Sequence, residues 1–189
     1  LMNVIKDTNP EQWTAFIATV QLGTLAAVFV YFWKDIKKIF IAFMSENLIK
    51  RNSYNQQSMD SKLGWYIVVG SIPIAVIGLA FKDFIRSSFT KDPIVIGMSL
   101  ICFALLLWVA EIIYKEKSNM ESIGWKETLA MGFGQVFALI PGASRSGTTI
   151  TAGLFTGLNR ESAAKFSFLL SIPAVFASGL LEFFHATTY

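Results

Sequence analysis

The sequence predicts an all-α integral membrane protein, a polytopic helical bundle that includes one re-entrant helix–loop–helix segment. Hydrophobic residues make up 53% of the 189 positions and charged residues only 15%, whereas about 25% charged residues is usual for a water-soluble domain. The chain contains several long uncharged stretches, and one shorter apolar stretch that proline, glycine and arginine interrupt. The composition and the long stretches predict spanning helices, and the interrupted stretch predicts the re-entrant segment.

Spanning helices are predicted where an uncharged stretch approaches the length that crosses a bilayer. The hydrocarbon core is about 30 Å thick, which requires about 20 apolar residues in a helix. Four uncharged stretches meet this criterion, at residues 12–33, 63–81, 93–110 and 128–144. A further predicted span covers residues 166–184. We therefore expect a single transmembrane domain over residues 1–189.

Residues 145–159 are predicted to form the re-entrant segment. They begin with Arg145 and a polar, glycine-rich run, and the apolar remainder is too short to span. Irregular backbone at membrane depth is tolerated only against protein or a water-filled cavity. The functional site is therefore expected here. Gly153 and Gly157 have the spacing that lets a neighbouring helix pack closely.

The distribution of basic residues predicts the orientation in the membrane. The connection 34–62 contains six of them, whereas the connections 82–92 and 111–127 contain three each. The positive-inside rule places connection 34–62 in the cytoplasm. Counting spans from there puts connection 111–127 inside as well and residues 141–149 toward the external face. The predicted location is therefore a membrane that the chain crosses several times.

An anion site is predicted around Arg145. A guanidinium inside an apolar region costs about 2.5 to 3.5 kcal/mol to insert and needs a compensating partner. Four hydroxyl side chains and two glycines lie next to it in sequence, namely Gly142, Ser144, Ser146, Gly147, Thr148 and Thr149. Arginine presents a planar fork to phosphate oxygens, and the amides at a helix start would add donors. The alternative is an arginine that pairs with a carboxylate and only fixes helix packing.

Several other chemistries are excluded by what the chain lacks. The residue after Gly147 is Thr148, where a nucleotide-binding P-loop has lysine. The single histidine and the single cysteine, Cys102, lie far from Arg145, which excludes histidine and cysteine nucleophiles. No spacing suggests zinc, and we expect Cys102 to be a small buried hydrophobe. The net charge of +3 is too small an excess to predict nucleic acid as a partner.

The string from Ala138 to Thr149, with Pro141-Gly142-Ala143-Ser144-Arg145-Ser146 at its centre, resembles a signature of the bacterial undecaprenyl-diphosphate phosphatases of the bacitracin-resistance type. Weaker resemblances lie at 20–34, 70–73 and 166–173. The resemblance implies a fold of two inverted repeats whose re-entrant segments meet at a midplane site. It also implies hydrolysis of undecaprenyl diphosphate to undecaprenyl phosphate, which recycles the lipid carrier of peptidoglycan synthesis and confers bacitracin resistance. The location that the resemblance implies is the bacterial inner membrane.

The resemblance also assigns residue roles. Arg145 is expected to clamp the diphosphate, with Ser144 and Ser146 beside it in the catalytic set. Gly142, Gly147, Thr148 and Thr149 are expected to complete the diphosphate site. Gln21 either lines the cavity or makes an interhelical hydrogen bond. The lipid substrate and the bilayer are the expected partners, and self-association stays open.

One departure from the family pattern affects the metal. The family's glutamate-rich first signature is absent upstream of Gln21, so the ligands of the expected Mg²⁺ or Ca²⁺ should lie outside this chain. The chain is accordingly expected to be an internal part of a longer protein and inactive alone. Two alternatives to a phosphatase remain. A lipid flippase or anion transporter would also use broken helices with a charged midplane group, and a membrane scaffold would use Arg145 only for packing.

Overall fold

A computed structural model describes residue 23, residues 26–81 and residues 92–187 of the chain, with side chains as far as residue 176. These residues form helices and connecting turns without a β-strand; one isolated bridge joins Ser118 and Leu158. The all-α prediction is therefore confirmed for the described part of the chain.

Six α-helices follow one another in the described residues. They are α1 Trp33–Met44, α2 Met59–Ala80, α3 Pro93–Ile113, α4 Trp125–Val136, α5 Arg145–Thr156 and α6 Arg160–Thr187. Residues 26–31 are also helical and lead into α1. Shorter turns are a π-helix at Ser45–Ile49 and 3₁₀ turns at Tyr54–Gln56 and Phe137–Leu139. The predicted first span, 12–33, lies almost entirely outside the described residues.

Helices α2 and α3 have the length and apolar composition of membrane spans. They contain the predicted spans 63–81 and 93–110, except that Phe81 is the residue that ends α2. Each begins at a capping side chain: the Ser58 hydroxyl accepts from the Ser61 N–H at 3.3 Å, and the Asp92 carboxylate accepts from the Ile94 N–H at 2.8 Å. On α3 only Ser99 and Ala110 are buried. An apolar helix with so many exposed side chains is better suited to lipid than to water.

The predicted span at 128–144 needs correction, because it is not one continuous helix. Helix α4 ends at Val136, a 3₁₀ turn follows, and the backbone is non-helical from Ile140 to Ser144. The physical reason is Pro141, which disfavours helical backbone in the residue before it, followed by Gly142 with a φ of +90°. The twelve residues of α4 rise only about 18 Å, too little to cross a bilayer.

Helices α4 and α5 form a hairpin whose two ends lie on the same side of the molecule. We call residues 125–156 the α4–α5 hairpin. After α5, the Gly157 carbonyl accepts from the Lys117 and Ser118 N–H groups at 2.9 and 3.1 Å, so the chain returns to the segment that precedes α4. The Trp125 ring, at the start of α4, stacks on Tyr54 with centroids 6.0 Å apart. Connections 34–62 and 111–127 therefore share one side of the molecule, as the basic residues predict.

The hairpin packs closely because glycines allow backbones to touch. A Cβ on Gly132 of α4 would lie 2.5 Å from the Gly70 carbonyl oxygen of α2. A Cβ on Gly134 would lie 2.7 Å from the Ala152 Cβ of α5. The core that surrounds these contacts includes fully buried side chains of α4 and α6, namely Met131, Phe166, Leu169 and Leu170.

The two glycines predicted as a packing pair have different positions. Gly153 packs as predicted, since a Cβ there would lie 3.1 Å from both the Ala163 Cβ and the Met131 sulfur. Gly157 instead ends α5 with a φ of +93°, a conformation that glycine adopts readily at a helix end.

Candidate functional site at the hairpin tip

The turn between α4 and α5 presents the predicted anion-binding residues at the start of a helix. We call residues 140–147 the hairpin tip. Ser144 is the N-cap of α5, and its hydroxyl accepts a hydrogen bond from the Gly147 N–H at 3.3 Å. Arg145 is the first residue of the helix. The unpaired N–H groups and the dipole of a helix start favour anions, so backbone and side chain give the tip the same positive sign.

Among the described residues, Arg145 has no carboxylate partner of the kind that a purely structural arginine would have. Its side chain is half-buried, yet the ion pairs found among the described residues are Lys38–Asp60, Arg160–Glu111 and Lys165–Asp35. No hydrogen bond from its guanidinium reaches any other described residue. A half-buried charge without a protein counterion favours an external anion as the partner.

The hydroxyls of the motif separate into two groups. Ser144 is exposed, Ser146 is half-buried, and their hydroxyl oxygens lie 3.4 Å apart at the tip. Thr148 and Thr149 are buried, and both hydroxyls donate to the Arg145 carbonyl oxygen. Thr149 also shares a 2.7 Å hydrogen bond with the Ser167 hydroxyl of α6. The tip therefore brings Ser144, Arg145 and Ser146 together and turns the two threonine hydroxyls into the protein.

The two glycines of the motif shape the backbone. Gly142 has a φ of +90°, and a Cβ there would lie 2.4 Å from the Ile96 carbonyl oxygen of α3. Its conformation and its contact both exclude a larger residue. A Cβ on Gly147 would lie 3.1 Å from the Ser144 Cβ. Gly142 thus seats the tip against α3, and Gly147 keeps room beside the serine that caps α5.

The described residues do not fit a divalent metal. They contain no group of three or more His, Cys, Asp or Glu side chains that could hold an ion. The side chains that meet at the tip are a guanidinium and two hydroxyls, whereas Mg²⁺ and Ca²⁺ prefer carboxylate and carbonyl oxygens. The other predicted residue, Gln21, lies outside the described residues.

Sequence reasoning assigned no role to two buried polar residues near the motif. Ser167 is the partner of Thr149 on α6. Gln135, near the end of α4, is fully buried, and its side-chain nitrogen donates to the Leu170 carbonyl at 3.5 Å. Its side-chain oxygen has no donor among the described residues. An amide side chain next to a glycine in the otherwise apolar stretch 129–140 was the available signal for Gln135.

The fold and the tip define a helical membrane protein with a basic, hydroxyl-bearing hairpin. Comparison with known families agrees: the family model described as bacitracin resistance protein BacA matches residues 1–189. The chain belongs to that family. The resemblance seen in the arginine string is thereby confirmed.

Relatives with an assigned name are similar over most of this chain. Undecaprenyl-diphosphatase from Syntrophobacter fumaroxidans is 56% identical over 182 residues, which cover 96% of this chain and 65% of that protein. Proteins of the same name from Chloroherpeton thalassium and Mycobacterium ulcerans are 49% and 46% identical; the matches cover 89% and 92% of this chain, and 60% and 62% of those proteins. The chain thus spans somewhat less than two thirds of the length of these relatives.

Proposed function

We propose that the full-length protein is an undecaprenyl-diphosphate phosphatase, which hydrolyses its substrate to undecaprenyl phosphate and inorganic phosphate. The observation that carries the proposal is Arg145, half-buried at the start of α5 and without a carboxylate partner among the described residues. Membership of the family and the printed names of its relatives support the same reaction. The role in carrier recycling and bacitracin resistance follows from the same proposal.

In the proposed site, Arg145 binds the phosphate oxygens and neutralises charge as the phosphoric anhydride bond breaks. Its planar fork can contact two oxygens at once, and preorganised donors stabilise the charge that develops in phosphoryl transfer. Ser144 and Ser146 add hydroxyls beside it. Thr148 and Thr149 do not contact the phosphate. Both donate to the Arg145 carbonyl and so hold the first turn of α5 in place.

A divalent cation is part of the proposal for the intact protein. Mg²⁺ or Ca²⁺ would neutralise phosphate charge when bound, and its ligands would come from residues other than those at the tip. The tip itself supplies the guanidinium, the two serine hydroxyls and the free N–H groups of α5.

We further propose that the α4–α5 hairpin is the re-entrant segment of an inverted-repeat fold, with its tip toward the external face of the inner membrane. Both ends of the hairpin lie on the side of the 34–62 connection, which carries six basic residues. At the other end, the tip lies beside Ile96 in the first turn of α3. A lipid diphosphate could then reach Arg145 while its isoprenoid tail stays in the bilayer.

The test is phosphate release from undecaprenyl diphosphate by the purified full-length protein in detergent. Arg145→Ala should lower kcat/KM by about 100-fold or more, the loss expected for one preorganised donor. Arg145→Lys should recover only part of it, because lysine lacks the fork. Arg51→Ala, which removes an exposed arginine far from the tip, is the matched control and should leave turnover unchanged.

Other outcomes would select another function. If Arg145→Ala keeps wild-type turnover, Arg145 is not in the site. If the protein releases no phosphate but moves lipid between the leaflets of vesicles, it is a flippase or transporter; a hairpin that places a charged group within the membrane suits that function too. A protein that does neither would be a scaffold.

A further inference from the structure

A second basic site lies at the opposite end of the hairpin from Arg145. A shallow pocket of about 100 Å³ is lined by Ile113, Lys115, Lys117, Leu154, Phe155 and Gly157. We call it the Lys115–Lys117 pocket. It lies where α3 ends and where α5 returns to the side of the 34–62 connection.

The acidic neighbours of this pocket neutralise only part of its positive charge. Glu111 pairs with Arg160, whereas Glu116 keeps its charge, because the Asn159 amide that donates to it at 3.4 Å is neutral. Among the described residues, neither Lys115 nor Lys117 forms an ion pair. The Gly157 carbonyl at the end of α5 is also satisfied, because it accepts two backbone N–H groups. Two lysines therefore line one pocket without an ion pair to any described residue, and Glu116 between them offsets one of the two charges.

The walls of the pocket are apolar and continuous with the surface expected to face lipid. Ile113 is the last residue of α3, and its side chain is exposed, as is that of Phe155 on α5. Leu154 beside it is buried. Lysines directly after a membrane span lie at the depth of phospholipid headgroups, where anionic lipids attract them. An acyl chain against α3 and a phosphate between the lysines would satisfy both parts of the pocket.

We propose that the Lys115–Lys117 pocket binds the headgroup of an anionic glycerophospholipid from the leaflet on that side. Charge complementarity selects an anion, and the apolar wall selects one attached to acyl chains. A competing role for the lysines is to complement the carboxyl end of α5, which would stabilise the helix but would not distinguish one lipid from another.

The experiment measures lipid binding to the full-length protein by native mass spectrometry. Phosphatidylglycerol and phosphatidylcholine are the probes. Wild type should bind phosphatidylglycerol more tightly, and the Lys115→Gln, Lys117→Gln double variant should bind it about 30-fold more weakly, from about fivefold for each lysine. The Lys50→Gln, Lys126→Gln double variant removes the same charge from exposed positions on that side and should stay within about threefold of wild type.

Three results would overturn the proposal: equal loss in both double variants, no loss in either, or displacement of bound phosphatidylglycerol by millimolar inorganic phosphate. The last result would show a site for free phosphate instead of a lipid. If the glutamine variant does not fold, the Lys115→Arg, Lys117→Arg variant keeps both charges and must retain selectivity for phosphatidylglycerol; loss of that selectivity would also refute the proposal.

Discussion

Helix α3 and the α4–α5 hairpin show two ways of being stable in the same membrane protein. Helix α3 runs for 21 residues with only Ser99 and Ala110 buried, and its one interior glycine, Gly97, has no atom within 4 Å of where a Cβ would be. The hairpin consists of two 12-residue helices whose glycines touch neighbouring backbones. Lipid can solvate the first, whereas the second depends on contacts with α2, α3 and α6.

The difference explains where function can be placed. A helix that lipid surrounds must satisfy all its backbone groups internally, so it can offer no free N–H groups. A short helix held by protein can start in the interior and leave its first N–H groups available at Arg145. Glycine-to-alanine substitutions test whether the hairpin depends on close packing while the exposed face of α3 does not.

The largest effect is expected at the hairpin tip. Gly142→Ala adds a Cβ that would lie 2.4 Å from the Ile96 carbonyl and forces alanine to adopt a φ of +90°. The two penalties together should lower the free energy of unfolding by about 3 kcal/mol, and activity should fall because the tip moves away from α3. Thermal unfolding and phosphate release of the full-length protein measure both effects.

The matched control is Gly124→Ala, at the start of the same hairpin. Gly124 has an ordinary φ of −133°, and the nearest atom to a Cβ there is 3.4 Å away. The change should alter stability by no more than about 0.5 kcal/mol. Equal effects at the two glycines would contradict the role given to the Gly142 contact.

The next effect is expected in α4, where the comparison with α3 is most direct. Gly132→Ala places a methyl group 2.5 Å from the Gly70 carbonyl, so α2 and α4 must move apart. Overpacking against backbone atoms costs about 3 kcal/mol, the upper end of the usual range, from which about 1 kcal/mol of helix propensity is recovered. We expect a net destabilisation of about 2 kcal/mol, measured by thermal unfolding in detergent.

Gly97→Ala is the same substitution on the exposed helix. Because nothing is near its Cβ position, only the propensity gain remains, and stability should stay the same or rise by up to about 1 kcal/mol. If Gly97→Ala destabilises as much as Gly132→Ala, then the exposed face of α3 at Gly97 packs against a partner and the contrast between the two regions is wrong.

The same contrast decides how much the sequence could predict. The length of the uncharged stretches predicted the positions of α2 and α3, because the apolar residues of a membrane-spanning helix are enough to predict that it forms. It failed at 128–144, where uncharged residues form a short helix, a turn and an irregular segment, because proline and a contact of Gly142 with α3 decide the backbone there. Cys102, expected to be a small buried hydrophobe, is exposed on α3, because hydropathy cannot separate lipid from protein as its surroundings.

Within the candidate site, sequence identified the residue types but not their directions. Arg145 and the two serines are at the tip, as the motif suggests. The hydroxyls of Thr148 and Thr149 point inward because they donate to a backbone carbonyl of α5 itself. The hydrogen bond between Thr149 and the Ser167 hydroxyl of α6 depends on tertiary packing. Helical geometry places residues 144–146 on the first turn, but only the packed fold shows which hydroxyls remain free.

A third, smaller effect tests that division of the hydroxyls. Thr149→Val keeps the shape but leaves the buried Ser167 hydroxyl without its 2.7 Å partner, which should cost about 1 to 3 kcal/mol. Thr148→Val removes only a bond to the carbonyl of its own helix and should cost about 1 kcal/mol or less. Thermal unfolding of the two variants gives the difference. A smaller loss for Thr149→Val than for Thr148→Val would contradict the interhelical role of Thr149.

The smallest effect is expected outside both regions, in the connection between α1 and α2, where acid should act. The Ser58 N–H donates to the Glu46 carboxylate at 2.8 Å, and hydrogen bonding with Ser58 lowers the pKa of that carboxyl. A pKa below that of the unfolded chain means that stability is present above the unfolded value and is lost as pH falls through the folded one. The melting temperature should therefore decline slightly below about pH 4.5.

Glu46→Gln removes the titrating group, so its melting temperature should depend less on pH over that range than that of wild type. Glu121→Gln, which changes an exposed carboxylate in the connection between α3 and α4, is the control. Its melting temperature should depend on pH as that of wild type does. The effect must be small because Glu46 lies at the surface, only partly buried, and salt screens such interactions. If instead Glu46→Gln greatly lowered stability at neutral pH, the connection between α1 and α2 would matter to the fold as much as the hairpin glycines do. Close packing would then not be what distinguishes the α4–α5 hairpin from the rest of the molecule.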